Sequence, residues 1–561
     1  MSRYGSDLIV DLLVEAGVEH VALNPGATFR GIQDSIVQRD DGPALALCMH
    51  EAVAVAVAHG YAKAAGRPMA ALLHNVVGLQ NASMAVYNAW CDRAPILLIG
   101  GTGPKSKSER RPWIDWIHTA NAQGEAVRDF VKWDDEPHDA ASIGESFARA
   151  LGAARSEPQG PVYLCYDVAL QEDELPAGVA PPALDRYPTP SAPAPAEAEA
   201  ERMLELLLAA ERPLIIAGYA GGDAAAMESL GRLAAALGAA VIDTGVRFPL
   251  ASDHPHNATG VEGVLEEADV VLALDVDDLQ LRLGPRAGDE RLTVLAAGLG
   301  NLRLRGWSHD YQALVPAAIS VTASAATTVA ALLRLLGDRE ADGAAERGGE
   351  LGERVARARA GWRDEAGAAT ADGAVPLPRL LRELGAALGE RPFRLASGTN
   401  GRLEHRLWSL REPRQYLGWH GGGGLGYGAG ATIGCALGSE PGVISVDVQA
   451  DGDLLYLPSA LWTAVHLGLP ALFVVNDNRQ YGNTVEHAIR IAEQRGRGDR
   501  RYAGAGLADP PVDIASMASS FGLWARGPVS EVAELQETLA EAVAVAASGR
   551  PALVDVLTPG F

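Results

Sequence analysis

The chain has few cysteines, no basic excess and no long apolar run, and each absence excludes a class of protein. Its four cysteines in 561 residues form no Cys-x-x-Cys pair, which argues against zinc and iron–sulfur sites and favours buried free thiols. The formal net charge of −24 provides no positive surface for nucleic acid or anionic membranes. No run approaches the roughly 18 apolar residues that span a bilayer, and the amino terminus is unlike a signal peptide. We therefore expect a cytoplasmic protein.

What the chain does have is the composition of a globular protein, with 48% hydrophobic and 21% charged residues. Its length favours roughly three domains. Short apolar strands alternate with helical patterns, which predicts an α/β fold of three doubly wound parallel-sheet domains. We place them at residues 1–180, 200–337 and 375–561. A Pro- and Ala-rich linker is predicted at 176–201, and a second, partly helical linker at 338–373.

The most informative pattern follows two apolar strands of the third domain. Strand Val443–Val448 leads to an Ala-Asp-Gly turn that contains Asp451, and strand Ala471–Asn476 leads to an Asn-Asp-Asn turn that ends in Asn478. The two polar residues are 27 positions apart, so one strand–helix–strand unit delivers both to the same sheet edge. A carboxylate and an amide oxygen suit Mg²⁺ that also binds phosphate. Two ordinary turns are the structural alternative.

A lone glutamate stands between a strand and an apolar helix in the first domain. Glu51 follows the predicted strand Ala44–Met49 and precedes the predicted helix Ala52–Ala65. A carboxylate shielded by apolar neighbours can hold or move a proton. The alternative is an acid favoured at a helix N-terminus by the helix dipole.

Together these patterns resemble the thiamine diphosphate-dependent enzymes, which carry a Gly-Asp-Gly and a double-asparagine motif at this interval and a glutamate at this place. The resemblance implies that Asp451 and Asn478 bind Mg²⁺ by side chain, and Gln480 by its carbonyl. It implies that Glu51 hydrogen-bonds the aminopyrimidine of the cofactor and so promotes loss of the thiazolium proton. In the family this glutamate acts on cofactor held by another subunit, so a homodimer is the expected minimal unit and a homotetramer the expected assembly.

The resemblance also assigns residues around the cofactor. The glycine-rich segment 419–428 is similar to the loop whose glycines let the backbone approach the aminopyrimidine. The expected cofactor contacts are Ser397, Gly398, Thr399, Asn400, Gly423, Leu425, Gly452, Asp453, Tyr481 and Gly482. Asp453 stands where a serine often contacts the diphosphate, so its carboxylate has to turn away or join the metal shell.

Parts of the sequence are also compatible with two other cofactors. A glycine-rich loop can mark a dinucleotide site, but no strand precedes this one. FAD, as in acetolactate synthases, would bind the middle domain; the glycines after strand Pro213–Ala217 are the sole sign of it, and we expect no FAD.

Within the family the chain is similar to benzoylformate decarboxylase and its carboligase relatives, through an Asn-Pro-Gly turn at Asn24, the Leu-His-x-x-x-Gly segment at His74 and a Ser-Ala-Leu-Trp-Thr-Ala helix. The resemblance makes His74 a proton shuttle; a core histidine is the structural alternative. Two departures stand out. Ala27 replaces a serine, and the middle-domain stretch Asp275–Leu283 lacks a second histidine and offers Asp277 and Asp278 instead.

The expected function is thiamine diphosphate-dependent decarboxylation of a small 2-oxo acid, carboligation of the product, or both. An acetolactate synthase-type transferase is the alternative. A catalytically silent regulatory paralogue and a dinucleotide oxidoreductase are alternatives of other classes. Candidate substrate-pocket residues are Asn24, Ala27, His420, Asn483, Thr484 and His487. The last four could equally be surface loop residues.

Overall fold

The computed structural model describes residues 3–303, 314–368, 374–399, 401–498 and 504–560. Within them three parallel sheets form, of six, five and five strands, each packed against helices. This confirms the predicted α/β class with three parallel-sheet domains. The proposed boundaries of those domains stay predictions. In the described part of the chain no helix is both long and apolar enough to cross a membrane.

The first sheet has the order β2-β1-β3-β4-β6-β5. Its strand Met69–Leu73 is wholly buried, with Ala71 and Leu73 in the core on one face and Ala70 and Leu72 in the core on the other. Apolar residues at every position are typical of a parallel strand covered on both faces. The elements are α1 (Gly5–Glu15), β1 (His20–Leu23), α2 (Arg30–Val37), β2 (Ala44–Leu47), α3 (Glu51–Ala65), β3 (Met69–Leu73), α4 (Asn75–Cys91), β4 (Ile96–Thr102), α5 (Ile114–Ile117), β5 (Asp134–Asp135), α6 (Ala140–Arg155), β6 (Val162–Asp167) and α7 (Val168–Glu172).

The second sheet has the order β11-β10-β9-β7-β8. The elements of this region are α8 (Glu197–Leu208), β7 (Pro213–Ala217), α9 (Ala224–Leu237), β8 (Ala240–Asp243), α10 (Val264–Glu267), β9 (Val270–Leu274), α11 (Leu279–Leu283), β10 (Thr293–Gly298), β11 (Ile319–Thr322), α12 (Ala325–Leu336) and α13 (Ala344–Gly367).

Helix α13 corrects the prediction of a linker at 338–373. It is 24 residues long, and Leu351 and Val355 pack into the core under the second sheet. Buried Arg359 donates hydrogen bonds to the carbonyls of Ser252, His405 and Trp408. Its abundant charged residues suggested an exposed connection, but a stripe of apolar residues at helical spacing anchors it.

The third sheet has the order β12-β13-β14-β16-β15. On strand Ile444–Ala450, Val446 and Val448 join the core on one face, while Asp447 and Gln449 face the glycine at position 428 on the other. The elements are α14 (Leu377–Leu388), β12 (Phe393–Ser397), α15 (Leu403–Leu407), α16 (Tyr427–Leu437), β13 (Ile444–Ala450), α17 (Asp451–Leu454), α18 (Ala460–Leu467), β14 (Ala471–Asp477), α19 (Gly482–Gln494), α20 (Ile514–Ser520), β15 (Trp524–Val529), α21 (Val532–Ala547) and β16 (Ala552–Leu557).

Helices α3 and α16 join the first and third domains by packing backbone against backbone. A Cβ atom at Gly434 would lie 2.6 Å from the backbone nitrogen of Tyr61, and one at Gly430 would lie 2.6 Å from the Cβ of Ala56. Such distances leave no room for a side chain. The two helices therefore depend on small residues to approach, and they run in the same direction, so that their N-termini lie at one end.

The end of α4 is held by the middle domain. The hydroxyl of Tyr219 donates to the carbonyl of Cys91 at 2.6 Å. Buried Arg93 pairs with Asp275 at 2.6 Å and with Asp277 at 2.8 Å. Asp278 caps α11 through the backbone nitrogen of Leu281. Asp277 and Asp278, offered by the sequence in place of a catalytic histidine, thus have structural partners.

Candidate active site

The first polar cluster lies where β1 to β4 end. Parallel strands bring their carboxyl ends to one edge of the sheet, where ligand sites of α/β domains lie. Thr28, Glu51 and His74 follow three of these strands, and His118 lies in the segment after the fourth. The structure therefore brings together residues that are far apart in sequence.

Glu51 begins helix α3 and is 6% exposed. The side-chain amide of Asn81 donates to its Oε2 at 3.2 Å. A Cβ atom at Gly78 would lie 3.0 Å from Oε1 of Glu51 and 3.2 Å from the Cβ of His74. Glu51 and His74 therefore lie close together on either side of Gly78, where a larger residue would make contacts tighter than usual.

His74 caps the start of α4, and its ring is held in place by Thr28. The hydroxyl of Thr28 lies 3.0 Å from Nδ1 of His74, and it also accepts a hydrogen bond from the backbone nitrogen of Asn75 at 3.2 Å. Because the hydroxyl already accepts that bond, its own hydrogen is available to Nδ1, which favours a neutral imidazole protonated on Nε2. Burial, followed by repulsion from His118, lowers the pKa of His74.

Three members of this cluster were not predicted from the sequence: Thr28, Asn81 and His118. Ala27 is exposed, whereas the next residue, Thr28, is buried and its hydroxyl contacts His74. Asn24 lies in the same turn and donates to the carbonyl of Cys48 at 3.0 Å. The sequence feature that could have identified Thr28 as a site residue is its hydroxyl group next to the Asn-Pro-Gly turn. His118 had no local signal.

The second cluster lies at the edge of the third sheet. Ala450 pairs with Asn476 in the parallel register of β13 and β14, so Asp451 and Asn478 follow at the same edge. Asp451 is 1% exposed, and its buried Oδ1 has no hydrogen-bond partner among the described residues. Burial, opposed by its own turn and reinforced by the carboxylate of Asp477, raises the pKa of Asp451 to about 7.

Gln480 and Tyr481 complete this edge. The backbone nitrogen of Gln480 donates to Oδ1 of Asn478 at 3.2 Å, and the carbonyl of Gln480 accepts from Gly482, which begins α19, at 3.0 Å. A Cβ atom at Gly452 would lie 2.7 Å from the ring of Tyr481. Tyr481 therefore packs on the turn that carries Asp451.

The side chain of Asp453 turns away from the sheet edge that carries Asp451 and Asn478. Its Oδ1 accepts from the backbone nitrogen of Gly426 at 2.7 Å, and burial raises its pKa. Ser397, at the end of β12, is in register with Asp447, a buried carboxylate whose pKa burial raises well above its ordinary value. Of the two outcomes expected for Asp453, the structure shows the one in which its carboxylate turns away, and it binds the glycine-rich loop instead.

The segment after β12 has an unexpected partner. The backbone nitrogen of Thr399 donates to Glu404 at 2.7 Å and its hydroxyl donates to the same carboxylate at 3.0 Å. A Cβ atom at Gly398 would lie 3.2 Å from that carboxylate. A contact between Thr399 and a diphosphate therefore requires these bonds to break. Asn400 lies outside the described residues.

The glycine-rich loop is fixed by helix α4. The side chain of Asn88 accepts from the nitrogen of Gly424 and donates to its carbonyl, both at 3.1 Å. Gly423 has a φ of +71°, and its nitrogen donates to Nδ1 of His420 at 3.2 Å. Burial lowers the pKa of His420 to about 3. Leu425 is 42% exposed, next to this fixed backbone.

Two cavities adjoin the loop. One of about 340 Å³ is lined by both Asn81, which binds Glu51, and Leu425. Another of about 720 Å³ lies between the three domains, with Arg282 and Arg402 in its wall. In contrast, Asn483, Thr484 and His487 are exposed on α19, and no contact places them at either cluster. Their role in a substrate pocket stays a prediction.

The second cluster fits a Mg²⁺-diphosphate group. It offers one carboxylate with an unpartnered buried oxygen, the amide of Asn478 and the carbonyl of Gln480. Within the described ranges no three His, Cys, Asp or Glu side chains form a metal cluster. A hard cation at this edge would therefore use one carboxylate with amide and carbonyl oxygens, which is the ligand chemistry that Mg²⁺ accepts when phosphate completes its shell.

Comparison with known proteins identifies the family. Models of the thiamine pyrophosphate (thiamine diphosphate) enzymes match residues 3–126 as the N-terminal domain, 200–332 as the central domain and 396–556 as the C-terminal domain. Probable 2-ketoarginine decarboxylase of Pseudomonas aeruginosa is 30% identical over 81% of this chain and 78% of that protein. Benzoylformate decarboxylase of the same organism is 25% identical over 91% of each chain.

Other similarities extend over nearly the whole chain. Probable acetolactate synthase 2 of rice is 25% identical over 99% of this chain and 83% of that protein. The solved structure of 4-hydroxybenzoylformate decarboxylase from Rhodococcus jostii has a TM-score of 0.78 at 19% identity and covers 100% of this chain and 99% of the other, which shows a common fold. The chain belongs to the thiamine diphosphate-dependent enzyme family, in which its relatives are 2-oxo acid decarboxylases and acetolactate synthases.

Proposed function

We propose that this protein decarboxylates a small 2-oxo acid and releases the product as an aldehyde or joins it to a second carbonyl compound. The observation that carries the proposal is the close approach of Glu51 and His74 across Gly78. Two groups that can hold and move protons face one sheet edge, in a chain whose relatives include decarboxylases.

The proposed cofactors are thiamine diphosphate and Mg²⁺. Asp451 and Asn478 would hold the metal by side chain and Gln480 by its carbonyl. Bound thiamine diphosphate supplies the nucleophilic carbon and the electron sink for decarboxylation. The unpartnered oxygen of Asp451 supports this assignment because a buried carboxylate oxygen is costly without a partner.

Each residue of the first cluster has a separate task. Glu51, oriented by Asn81, would hydrogen-bond a ring nitrogen of the cofactor. His74, oriented by Thr28 through Nδ1, would present Nε2 to the substrate carbonyl and move a proton there. The low exposure of Glu51 excludes water from its carboxylate, which strengthens its hydrogen bonds.

We propose a cytoplasmic homodimer as the minimal active unit, assembled further into a homotetramer. Apolar side chains are exposed near both clusters: Met49 is 48%, Leu425 42% and Tyr456 57% exposed. A second copy would cover these residues and bring Glu51 to the partner's cofactor. Exposed apolar patches beside a site commonly mark such an interface.

The test is a panel of 2-oxo acids, including benzoylformate, 2-ketoarginine and pyruvate, with thiamine diphosphate and Mg²⁺. Carbon dioxide, aldehyde and acyloin are measured separately, so an aldehyde indicates a decarboxylase and an acyloin a carboligase or acetolactate synthase-type enzyme. Glu51→Gln should abolish turnover and leave cofactor affinity nearly unchanged by calorimetry. A protein that binds the cofactor but releases CO₂ from no member of the panel would refute the proposal.

A further inference from the structure

The cavity of about 720 Å³ lies next to the segments that the proposed function assigns to the cofactor. Its wall includes Thr399, an expected cofactor contact, and Trp419 and Gly421 from the glycine-rich loop. The middle domain contributes Asp277 and, from helix α11, Arg282. A molecule bound in this cavity would therefore extend from the middle domain towards the cofactor.

Arg402 contributes a guanidinium group to this wall from a strained backbone position. Its φ of +49° lies in the left-handed region, which is unfavourable for residues other than glycine, and its backbone nitrogen donates to the carbonyl of Thr399 at 2.9 Å. Nη1 lies 3.2 Å from Oδ2 of Asp243, but it has no hydrogen-bond partner among the described residues. Burial raises the pKa of Asp243, which weakens this ion pair. Arg402 is therefore incompletely compensated by the protein itself.

Arg282 is a second cation of the wall, and fewer of its donors are in use. Its Nη2 reaches the carbonyl of Thr244 at 3.4 Å, which is long for a hydrogen bond, and no carboxylate in the described part of the chain forms an ion pair with it. Burial lowers the pKa of Arg282, and repulsion from Arg402 lowers it further. An anion bound between the two guanidinium groups would relieve this repulsion.

The other charged residues of the wall already have partners. Arg303 donates to the carbonyl of Trp90 at 2.7 Å, and its guanidinium carbon lies 4.8 Å from the centre of that ring. Asp277 pairs with Arg93 at 2.8 Å, and Asp278 caps helix α11. The positive charge that remains for a ligand is therefore that of the two arginines described above.

We propose that Arg282 and Arg402 bind a second carboxylate of the substrate, so that the protein acts on 2-oxo dicarboxylic acids. This inference rests on the proposed function and narrows its substrate class. The 2-oxo acid group would lie at the cofactor end of the cavity and the second carboxylate at the guanidinium pair, because arginine binds carboxylates through paired, charge-assisted hydrogen bonds. A substrate with a cationic end, such as 2-ketoarginine, would meet the same two cations and be disfavoured.

The first measurement compares substrates that differ in the group at their far end. The dicarboxylates 2-oxoglutarate and 2-oxoadipate are added to the panel with 2-oxo-5-methylhexanoate, in which two methyl groups stand where 2-oxoglutarate has two carboxylate oxygens. We expect kcat/KM for the better dicarboxylate to exceed that for the uncharged compound at least about tenfold, the size of one charge-assisted hydrogen bond. An equal or higher kcat/KM for the uncharged compound or for 2-ketoarginine overturns the proposal.

Arg282→Gln tests the role of the guanidinium group. It should lower kcat/KM for the dicarboxylate at least about tenfold, mainly through KM, and leave the value for the uncharged compound within about threefold of wild type. Arg282→Lys keeps the charge and should lose less. Arg291→Gln is the matched control, because the side chain of Arg291 is 88% exposed, and it should behave as wild type. Losses of equal size on both compounds would mean that Arg282 only supports the fold.

The last measurement needs neither cofactor nor turnover. Calorimetry follows the binding of 2-oxoglutarate to the wild-type, Arg282→Gln and Arg291→Gln apoproteins, and wild type should bind it at least about tenfold more tightly than Arg282→Gln does. Equal affinities, or no binding to wild type, overturn the proposal. If wild type shows this preference but releases CO₂ from no 2-oxo acid, the proposed function fails and the dicarboxylate site stands. If CO₂ is released only from monocarboxylic 2-oxo acids, the proposed function stands and the dicarboxylate site fails.

Discussion

The hydroxyl of Thr28 lies 3.0 Å from Nδ1 of His74 and accepts from the backbone nitrogen of Asn75. This contact orients the imidazole and favours the tautomer that is protonated on Nε2. Thr28 directly follows Ala27 in the same turn, so this turn provides a hydroxyl to His74 although position 27 has none.

Replacing Thr28 tests this orientation. Thr28→Val keeps the shape of the side chain but removes the hydroxyl, and we expect kcat to fall about 10- to 100-fold because His74 loses its orienting bond. Thr28→Ser keeps the hydroxyl and should retain most of the activity. Steady-state kinetics with the preferred 2-oxo acid measures both. Equal losses in the two variants would mean that packing, and not the hydrogen bond, is what matters.

Gly26 controls the position of the same ring. A Cβ atom at Gly26 would lie 2.6 Å from Nδ1 of His74, while its φ of −151° is one that any residue adopts. Because the atom nearest to the added carbon would be the Cβ of His74, Gly26→Ala should displace His74 as a whole, and kcat should fall at least about tenfold. Thermal unfolding provides the control, since the melting temperature should change by only a few degrees. An unchanged kcat would show that the turn can shift to make room for the added methyl group.

Much of the fold follows from local pattern. Strand Pro213–Ala217 occurs at the predicted residues, because short apolar runs between turn residues have few other solutions in a parallel sheet. The observed strands Ala44–Leu47, Ile444–Ala450 and Ala471–Asp477 differ from the predicted ones by at most two residues at either end. The position of Asp451 and Asn478 at the same sheet edge was also predictable, since one strand–helix–strand unit fixes their relative position.

The features that were not predicted from the sequence depend on contacts between residues that are distant in the chain. His118 reaches His74 only because β3 and β4 are neighbours in the sheet and the segment after β4 folds back, and no local spacing encodes that path. The sequence alone allowed a catalytic role for Asp277, but in the structure this residue pairs with Arg93, which is 184 residues away. The length of α13 was hidden by its charged residues. In each case the feature that was not predicted depends on a tertiary contact that the local sequence does not indicate.

Asp92 holds several neighbouring side chains together, so its substitution should destabilise the protein. It is fully buried and binds His59, Lys63 and Arg247. Burial opposes ionisation, but these partners prevail and hold the pKa of Asp92 well below its ordinary value. Asp92→Asn leaves buried cations unpaired, which should cost about 3–5 kcal/mol.

Urea unfolding of Asp92→Asn measures that loss. Asp41→Asn is the matched control, because Asp41 pairs with Arg39 at an exposed position and its substitution should leave the free energy of unfolding nearly unchanged. A depressed carboxylate pKa gives stability that is present above the unfolded-state pKa and lost as pH falls towards the folded-state value. The advantage of wild type over Asp92→Asn should therefore shrink below about pH 4. A gap that is independent of pH would contradict the ionised state of Asp92.

Two glycine substitutions separate packing from helix propensity. Gly434→Ala places a methyl group 2.6 Å from the nitrogen of Tyr61, so it should force α3 and α16 apart and cost at least about 1–3 kcal/mol. Gly361→Ala, inside α13 with nothing within 4 Å of its Cβ, should stabilise by up to about 1 kcal/mol. Melting temperatures of the two variants should shift in opposite directions. A stable Gly434→Ala would refute the backbone-to-backbone packing of the two helices.

Metal removal tests the edge that carries Asp451. If Mg²⁺ bridges this carboxylate and the diphosphate, EDTA should release thiamine diphosphate, and Asp451→Ala should lower cofactor affinity at least 100-fold by calorimetry, about 2.7 kcal/mol. Asp453→Ala is the informative comparison, because Asp453 binds Gly426 and is turned away from that edge. We expect it to retain Mg²⁺-dependent binding, with a loss of at most about tenfold through a looser glycine-rich loop. If both variants lose the cofactor equally, Asp453 belongs to the metal shell after all, and the orientation of its carboxylate must change when the metal binds.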